Sequence, residues 1–390
     1  MRRIMVMNLG STSFKFKLFE MADEEKCAAS GGVENIGGAG TFFTLINGER
    51  VKGECDSATH MDALETCMQA LRGRGLNVDL ASIDALGYKA VHGGRISGAQ
   101  LVDDALIAEM RRMSDFAPAH NPVYLNMMTR MRQAYPDIPQ IACFETAFHA
   151  SIPLARAVYG VPYEWVARYG VRRYGFHGSS HSYIAWKMAR VAPDARRLIS
   201  IHLGGSCSLC AIHDGKSVAN SMGATPQSGI FHNNRVGDMD VFCLPALVQD
   251  MGGLEPVMKA LSSQSGLLGL SGVSNDLRQV EQAARDGNAQ AQLAIDAFVD
   301  SIVGYIGMYT AFLGGLDAIC FTGGIGTNDA ALRRQVADRL TFVRARIDDQ
   351  KNQDGSCEAL HAPDSGIGIW AFETNEELMV ARGCMRVLGA

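Results

Sequence analysis

The sequence predicts an α/β fold made of two duplicated domains, on three observations. A strand, glycine-turn, strand unit at the N-terminus recurs in the middle of the chain. Helical and strand-like patterns alternate elsewhere, the arrangement that layers helices on a sheet. A buried strand, Asp317 to Phe321, runs into a glycine turn and then a helix, which is where open α/β sheets receive nucleotides.

The first copy of the repeat reads Ile4-Met5-Val6-Met7-Asn8-Leu9-Gly10-Ser11-Thr12-Ser13 and continues from Phe14 to Phe19. The second reads Ile199-Ser200-Ile201-His202-Leu203-Gly204-Gly205-Ser206-Cys207-Ser208 and continues from Leu209 to Ile212. Apolar runs around a short polar turn signal a hairpin. A tip of Gly, Ser and Asn lets backbone N–H groups and short hydroxyls approach a phosphate, because nothing bulky obstructs them. For either copy alone an ordinary hairpin is the alternative; their recurrence favours duplication.

Between the copies, Asp62 to Leu71 and Asp104 to Arg112 have helical spacing, while Ala85 to Val91 and Gln140 to Phe144 read as short buried strands. Ala289 to Leu313 carries a long apolar helical pattern. After the Asp317 to Phe321 strand come Thr322-Gly323-Gly324-Ile325-Gly326 and a helix expected to start near Asp329. The chain has no GxxxxGK[ST] loop and no GxGxxG after a strand, which argues against a Walker nucleotide site or a dinucleotide dehydrogenase.

With 390 residues, 47 % of them hydrophobic, the chain can bury a large core and divide into two or three domains. A formal charge of −5, from 36 basic and 41 acidic residues, leaves no basic excess for a nucleic-acid polymer, so a small-molecule ligand is expected. The longest charge-free apolar stretch, Ser301 to Leu316, falls short of the roughly 20 residues that span a bilayer, so no membrane helix is expected. No apolar signal core follows Met1-Arg2-Arg3, and a cytoplasmic location is expected. Ten dispersed cysteines read as buried thiols of a reducing compartment. Cys207 and Cys210, three apart in a strand, should face opposite ways, which disfavours a shared metal.

Two histidine loops stand out. His177, in Tyr174-Gly175-Phe176-His177-Gly178-Ser179-Ser180-His181, should lie beside the N-terminus of a helix over Ser182 to Val191, with the serines as caps. His177 and His181 are four apart, but the Glu of HExxH is missing and Gly178 is expected to break the helix between them, so zinc is disfavoured. His120 sits between Pro118 and Pro122 in a rigid loop. A structural histidine bonded to backbone is the alternative for each. Arg235, set among His232-Asn233-Asn234 and Gly237-Asp238, suits a two-pronged grip on phosphate or carboxylate. Thr374-Asn375-Glu376-Glu377 reads as a capping box, and a metal role for Glu376 requires it to turn inward instead.

The chain resembles the acetate kinases and their propionate and butyrate kinase relatives, within the superfamily of actin, heat-shock ATPases and sugar kinases. The resemblance rests on Asn8 to Lys15, Val91-His92-Gly93-Gly94, Ala117 to Pro122, Glu145 to His149, Arg173 to His181, His202-Leu203-Gly204, Ser221-Met222-Gly223 with Thr225-Pro226, and Arg235 with Gly237-Asp238. It extends through Ser271 to Arg278, Phe321 to Gly326 and Thr374 to Ala381. It implies two ribonuclease-H-like, actin-like ATPase domains with an interdomain cleft, residues 1–150 with 375–390 and residues 151–374. It implies ATP-dependent phosphorylation of a small carboxylic acid to an acyl phosphate, or the reverse, in a homodimer.

By the same resemblance, Arg235, His177, Glu145, Lys89 and His120 are catalytic, and Asn8, Ser11, Ser13, Lys15, Gly204 and Gly205 bind phosphate. His202, Asp276, Leu277, Arg278, Gly323, Gly324, Ile325 and Asn328 would hold ATP or ADP. Val91, Ala119, Phe176 and Pro226 would surround the acyl chain, and Asn8 and Glu376 would be linked to Mg²⁺, mostly through water. Four positions depart from the family pattern: Lys89 replaces an arginine, Glu145 an aspartate, Gly205 an asparagine, and Asn233-Asn234 a Gly-Thr pair. Lys89 with Glu145 is expected to substitute for the Arg/Asp pairing. Ala119 stands where acetate kinases have leucine, which implies a three- or four-carbon acid, or a polar one meeting His232, unless Phe231 and His232 refill the space. Two alternatives remain: a kinase for a branched, hydroxylated or carbamoyl acid, and a catalytically weak nucleotide-binding regulatory paralogue.

Overall fold

A computed structural model describes residues 1–76 and 80–389. The chain divides into two compact units, Met1–Ala147 with Asn375–Ala390, and Phe148–Thr374.

The first unit holds strands β1 (Arg2–Leu9), β2 (Ser13–Met21), β3 (Glu25–Glu34), β4 (Gly40–Ile46), β5 (Glu49–Cys55), β6 (Ala85–Ala90), β7 (Ala99–Leu101) and β8 (Gln140–Phe144), in the sheet order β5-β4-β3-β2-β1-β6-β8-β7. β1 is antiparallel to β2, with Asn8 opposite Lys15, and parallel to β6, which in turn is parallel to β8. β8 is buried along its length, as a parallel strand covered on both faces must be. Helices α1 (His60–Arg72), α2 (Asp104–Arg112), α3 (Asn121–Ala134) and a C-terminal helix (Glu376–Val387) complete the unit. α1 buries Ala63, Leu64, Cys67, Met68 and Leu71 at helical spacing. It starts two residues before Asp62, because Thr59 and Asp62 form a capping box.

The expected box at Thr374 is not formed. Asn375 Oδ1 caps the C-terminal helix by accepting from the Leu378 N–H at 3.4 Å. That helix packs on β1, β2 and β6, so its first-turn carboxylates reach strand lysines: Glu377 meets Lys17 at 2.9 Å and Glu376 meets Lys89.

The second unit repeats the plan with β9 (Arg197–Leu203), β10 (Cys207–His213), β11 (Lys216–Asn220), β12 (Ala318–Thr322) and β13 (Gly368–Ala371), ordered β11-β10-β9-β12-β13. An antiparallel β9-β10-β11 meander joins two parallel strands through β9, as β1-β2-β3 joins β6 and β8, so the duplication expected from the two hairpins is present as topology. Its helices are α4 (Leu154–Ala157), α5 (Glu164–Tyr169), α6 (Gly178–Val191), α7 (Leu244–Met251), α8 (Leu254–Ser263), α9 (Gly266–Ser271), α10 (Leu277–Arg285), α11 (Ala289–Leu313), α12 (Gly323–Asn328), α13 (Ala330–Arg339) and α14 (Asp349–Gln353). Cys207 and Cys210 pack into separate apolar clusters, consistent with opposite faces of β10.

Two expectations are corrected here, at α6 and at α12. α11, at 25 residues, is long and apolar enough to cross a membrane by length and composition. Residues along it from Ala291 to Leu313 are instead buried in the unit's core, and its Asp296 and Asp300 both pair with Arg339. α6 begins at Gly178, so this glycine starts the helix instead of breaking it; no serine caps it, and His177 occupies the N-cap in left-handed conformation, φ 56°. The glycine turn after β12 is itself α12. Gly323 has φ +78°, and a Cβ there would lie 2.5 Å from the Leu203 carbonyl, so the close approach of α12 to β9 requires glycine.

Candidate active site

In the first unit the β1–β2 tip closes with the Gly10 N–H donating to the Ser13 carbonyl at 2.9 Å. Ser11 is exposed and Ser13 half-buried. His60 Nε2 lies 2.8 Å from the Gly10 carbonyl oxygen, a support that no local pattern signals. Beside the tip, the Tyr124 hydroxyl accepts from the Leu9 N–H at 3.0 Å and stands 3.5 Å from Asn8 Oδ1. Lys15 pairs with Glu34 at 2.9 Å, both about half exposed, which holds the ammonium only weakly.

Lys89 and Glu376 form an ion pair with side chains only 15 % and 12 % exposed. Burial pulls the Lys89 pKa down, but the carboxylates of Glu376, then Glu145 and Glu377, outweigh it and raise the value above the ordinary lysine range. The expected Lys89/Glu145 pairing is therefore a cluster in which Glu376 is the first partner. Glu145 follows β8, is buried, and its N–H donates to the Ala90 carbonyl at 2.8 Å. His120 is the N-cap residue of α3, half-buried, and makes no side-chain cap bond. Val91 packs on this unit's core and Ala119 is exposed.

In the second unit Arg235 is partly buried and its Nη1 donates to Ser206 Oγ and the Pro226 carbonyl, both at 3.1 Å. Burial pulls its pKa down, yet a guanidinium stays charged. Among the described residues no carboxylate pairs with it. The loop is pinned by backbone bonds from Ser265 N to the Asn234 carbonyl at 3.1 Å and from Leu268 N to the Asn233 carbonyl at 2.9 Å. Gly266, at φ +62°, is needed there because a Cβ would collide with the His232 carbonyl. His232 is fully buried and accepts the Cys207 N–H on Nδ1 at 2.7 Å; burial, then Arg235, pull its pKa down to about 3. The Phe231 ring lies tilted against that of Phe298, with centres 5.4 Å apart. Phe231 packs on the second unit's core and His232 is closed to solvent, so His232 does not project as a substrate contact.

His177 Nδ1 is 2.8 Å from Ser208 Oγ, and its ring lies 4.2 Å from that of His202. Its place at the N-terminus of α6 favours an anion. Phe176 is buried, its carbonyl accepting from His149 Nε2 at 2.9 Å.

A cavity of about 790 Å³ in this unit is lined by Gly204, Gly205, Asp276, Leu277, Arg278, Gly324, Ile325 and Asn328. Gly323 and His202 do not line it; Gly323 lies under β9, and His202 Nδ1 is 2.8 Å from Ser180 Oγ. Asn233, from the loop before Arg235, also lines it, as do Glu281 of α10, Asp329 at the start of α13 and Gln353 of α14, whose local patterns read as solvated helix positions. Burial and the neighbouring Asp329 raise Glu281 to a pKa of about 7. Asp276 caps α10 and forks onto Arg278 at 2.6 and 3.0 Å.

Residues 3–382 match the model of the acetokinase family. The chain is 41 % identical over 391 residues to a propionate kinase of Citrobacter rodentium, covering 99 % of this chain and 96 % of that one. It is 37 % identical over 394 residues to an acetate kinase of Shouchella clausii, covering 99 % and 100 %. Among solved structures, Porphyromonas gingivalis acetate kinase superposes with a TM-score of 0.89 at 34 % identity over all of both chains. A Francisella tularensis propionate kinase gives 0.91 at 33 %, covering 98 % and 99 %. The chain belongs to the acetokinase family.

It is accordingly a phosphotransferase of the carboxylate-phosphorylating, ATP-using class, with the actin-like ATPase fold of those structures. Within the acetokinase pattern, the Gly205 departure leaves open space where a Cβ would stand, at the cavity edge. The Asn233 departure puts a buried Oδ1 that has no hydrogen-bond partner among the described residues beside the same cavity.

Proposed function

We propose that this acetokinase-family enzyme transfers the γ-phosphoryl group of ATP to a small carboxylic acid, giving an acyl phosphate and ADP, or runs the reverse, by direct in-line transfer. The observation that carries this reading is Arg235, a partly buried guanidinium bonded to neutral oxygens alone among the described residues. A desolvated, uncompensated cation is costly, and an arriving anion offsets that cost.

The acceptor oxygen of an ionised acid needs no base to remove a proton. It forms its bond to phosphorus as the bond to the ADP oxygen breaks, and the electron pair leaves with ADP. Catalysis is then a matter of positioning and of donors around the phosphoryl oxygens. Arg235 and His177 take that role together with His120, Lys15, Asn8, Ser11 and Ser13. Lys89, held by Glu376 and near Glu145, meets the carboxylate as a point charge in place of a planar fork. Gly204, Gly205 and the cavity from Asp276 to Arg278 with Gly324, Ile325 and Asn328 receive ADP, and Asn233 Oδ1 offers an acceptor to it. Asn8 and Glu376 fit Mg²⁺ as hard oxygen donors, since a metal that keeps its waters and phosphates needs one or two protein oxygens. When bound, Mg²⁺ offsets charge on the β- and γ-phosphates.

The exposed Ala119 supports a three- or four-carbon acid, with Val91, Phe176 and Pro226 as the other acyl neighbours. Exposed Trp165, Tyr169, Phe242, Leu254 and Met258 on the second unit support a homodimer in which a second copy covers them. Trapping acyl phosphate with hydroxylamine over a panel of two- to four-carbon, hydroxylated and carbamoyl acids tests the reading. Product is expected with at least one acid, and Arg235→Ala should lower turnover on the order of 10³-fold at unchanged Tm. ADP binding without product from any acid points to the regulatory alternative.

A further inference from the structure

Behind His177 lies a chain of buried polar atoms. Ser200 Oγ is 2.8 Å from His181 Nδ1, His181 Nε2 is 2.8 Å from Ser208 Oγ, and Ser208 Oγ is 2.8 Å from His177 Nδ1. Ser200, His181 and Ser208 have no solvent exposure. Each hydroxyl brings one hydrogen, and a neutral imidazole brings one. His181 is neutral, because burial, then His149 and His202, push its pKa well below the ordinary histidine value. It therefore donates from one ring nitrogen and accepts at the other.

Two polarities run unbroken along the chain, and letting both rings donate to Ser208 Oγ would strand the Ser208 hydrogen instead. Running outward, the Ser200 O–H donates to His181 Nδ1, the His181 Nε2–H donates to Ser208 Oγ, and the Ser208 O–H donates to His177 Nδ1, so every hydrogen finds an acceptor. Running inward, the His177 Nδ1–H donates to Ser208, Ser208 to His181 Nε2, and the His181 Nδ1–H to Ser200, which leaves the Ser200 hydrogen over. Among the described residues His181 is the only side-chain partner of Ser200 Oγ. A buried donor without an acceptor carries its full desolvation cost, so the outward polarity wins.

We propose that Ser200, His181 and Ser208 are positioning residues that fix the proton of neutral His177 on Nε2, making that N–H the one turned to the transferring phosphoryl group. The ring is held as well: His177 sits at φ 56° and lies tilted against the ring of His202, itself bonded to Ser180 Oγ. No proton is transferred in this role; the chain sets direction, as a buried partner sets the tautomer of a catalytic imidazole elsewhere. The phosphoryl-facing part rests on the function proposed above, while the tautomer itself does not.

The test is side-chain ¹⁵N NMR of histidine-labelled full-length protein, which distinguishes Nδ1–H from Nε2–H directly. His177 and His181 are both expected as Nε2–H tautomers. Ser208→Ala should give His177 a mixed tautomer and lower kcat about 10- to 100-fold at unchanged ADP affinity, and Ser208→Thr, which keeps the hydroxyl, should restore both. An Nδ1–H tautomer at either histidine in the parent protein overturns the proposal, as does Ser208→Ala with the parental tautomer and kcat. Because the parent spectrum alone decides the polarity, misfolding of a variant does not protect the idea. Absence of kinase activity with every acid would count against the proposed function and leave the tautomer reading standing.

Discussion

Glu376→Gln removes the counter-charge from Lys89 and leaves an ammonium among groups that exclude most water, since the two side chains are 15 % and 12 % exposed. Removing one partner of a buried pair costs about 3–5 kcal/mol. Glu145 and Glu377 still attract Lys89 after the change, so the cost falls to the floor of that range or below it, about 2–3 kcal/mol. At roughly 2–4 °C per kcal/mol for a domain of this size, Tm should fall by about 4–12 °C. The Lys89 pKa is raised by its partners, so the pair's contribution is complete below the ordinary lysine value and is lost only as pH climbs beyond it. The loss in Tm should therefore be the same at every pH between 6 and 9. Scanning calorimetry of parent and variant measures it. Replacing both partners, Lys89→Met with Glu376→Leu, should recover only part of the lost Tm, because it also takes the Lys89 charge away from buried Glu145, and turnover should stay low because no charge then meets a carboxylate. A Glu376→Gln protein that melts within about 1 °C of the parent refutes the claim that Glu376 is the principal partner of Lys89.

Three further outcomes follow from the same geometry. Glu281, with its pKa raised to about 7 by burial and Asp329, contributes stability that is complete below the ordinary glutamate value and is lost as pH rises through about 7. Glu281→Gln should thus be more stable than the parent above that pH, by roughly 1 kcal/mol after solvent screening, and equal Tm values at pH 8 would count against it. His149 has its pKa lowered to about 4 by burial, so its contribution is complete above 6.5 and is lost as pH falls towards 4. His149→Gln should flatten the fall in Tm across that window, and an unchanged slope would remove His149 from acid unfolding. Ala119→Leu should shift kcat/KM from butyrate and propionate towards acetate; an unaltered ratio means the exposed Ala119 does not border the acyl group.

Much of this molecule is written locally. The strand pattern from Gln140 to Phe144 and the helical pattern from Ala289 to Leu313 match β8 and α11 because periodicity reports which side chains a short segment must bury. The two Gly/Ser tips were legible for the same reason, and their recurrence anticipated the shared strand order of the two sheets. Arg235 and His177 could be named from loop composition alone. What composition left open was decided by partners far away in sequence. Glu376 faces Lys89 across 287 positions because the C-terminal helix lies on β6, and that contact turned an apparent capping residue into a counter-ion. His177 takes its strained backbone and its partner Ser208 from the packing of α6 on β9 beside β10, which no spacing rule predicts. That Arg235 meets only neutral oxygens among the described residues is likewise a property of everything around it. Local sequence determines which segments become strands and helices; burial and charge pairing between distant segments determine what their polar side chains are able to do.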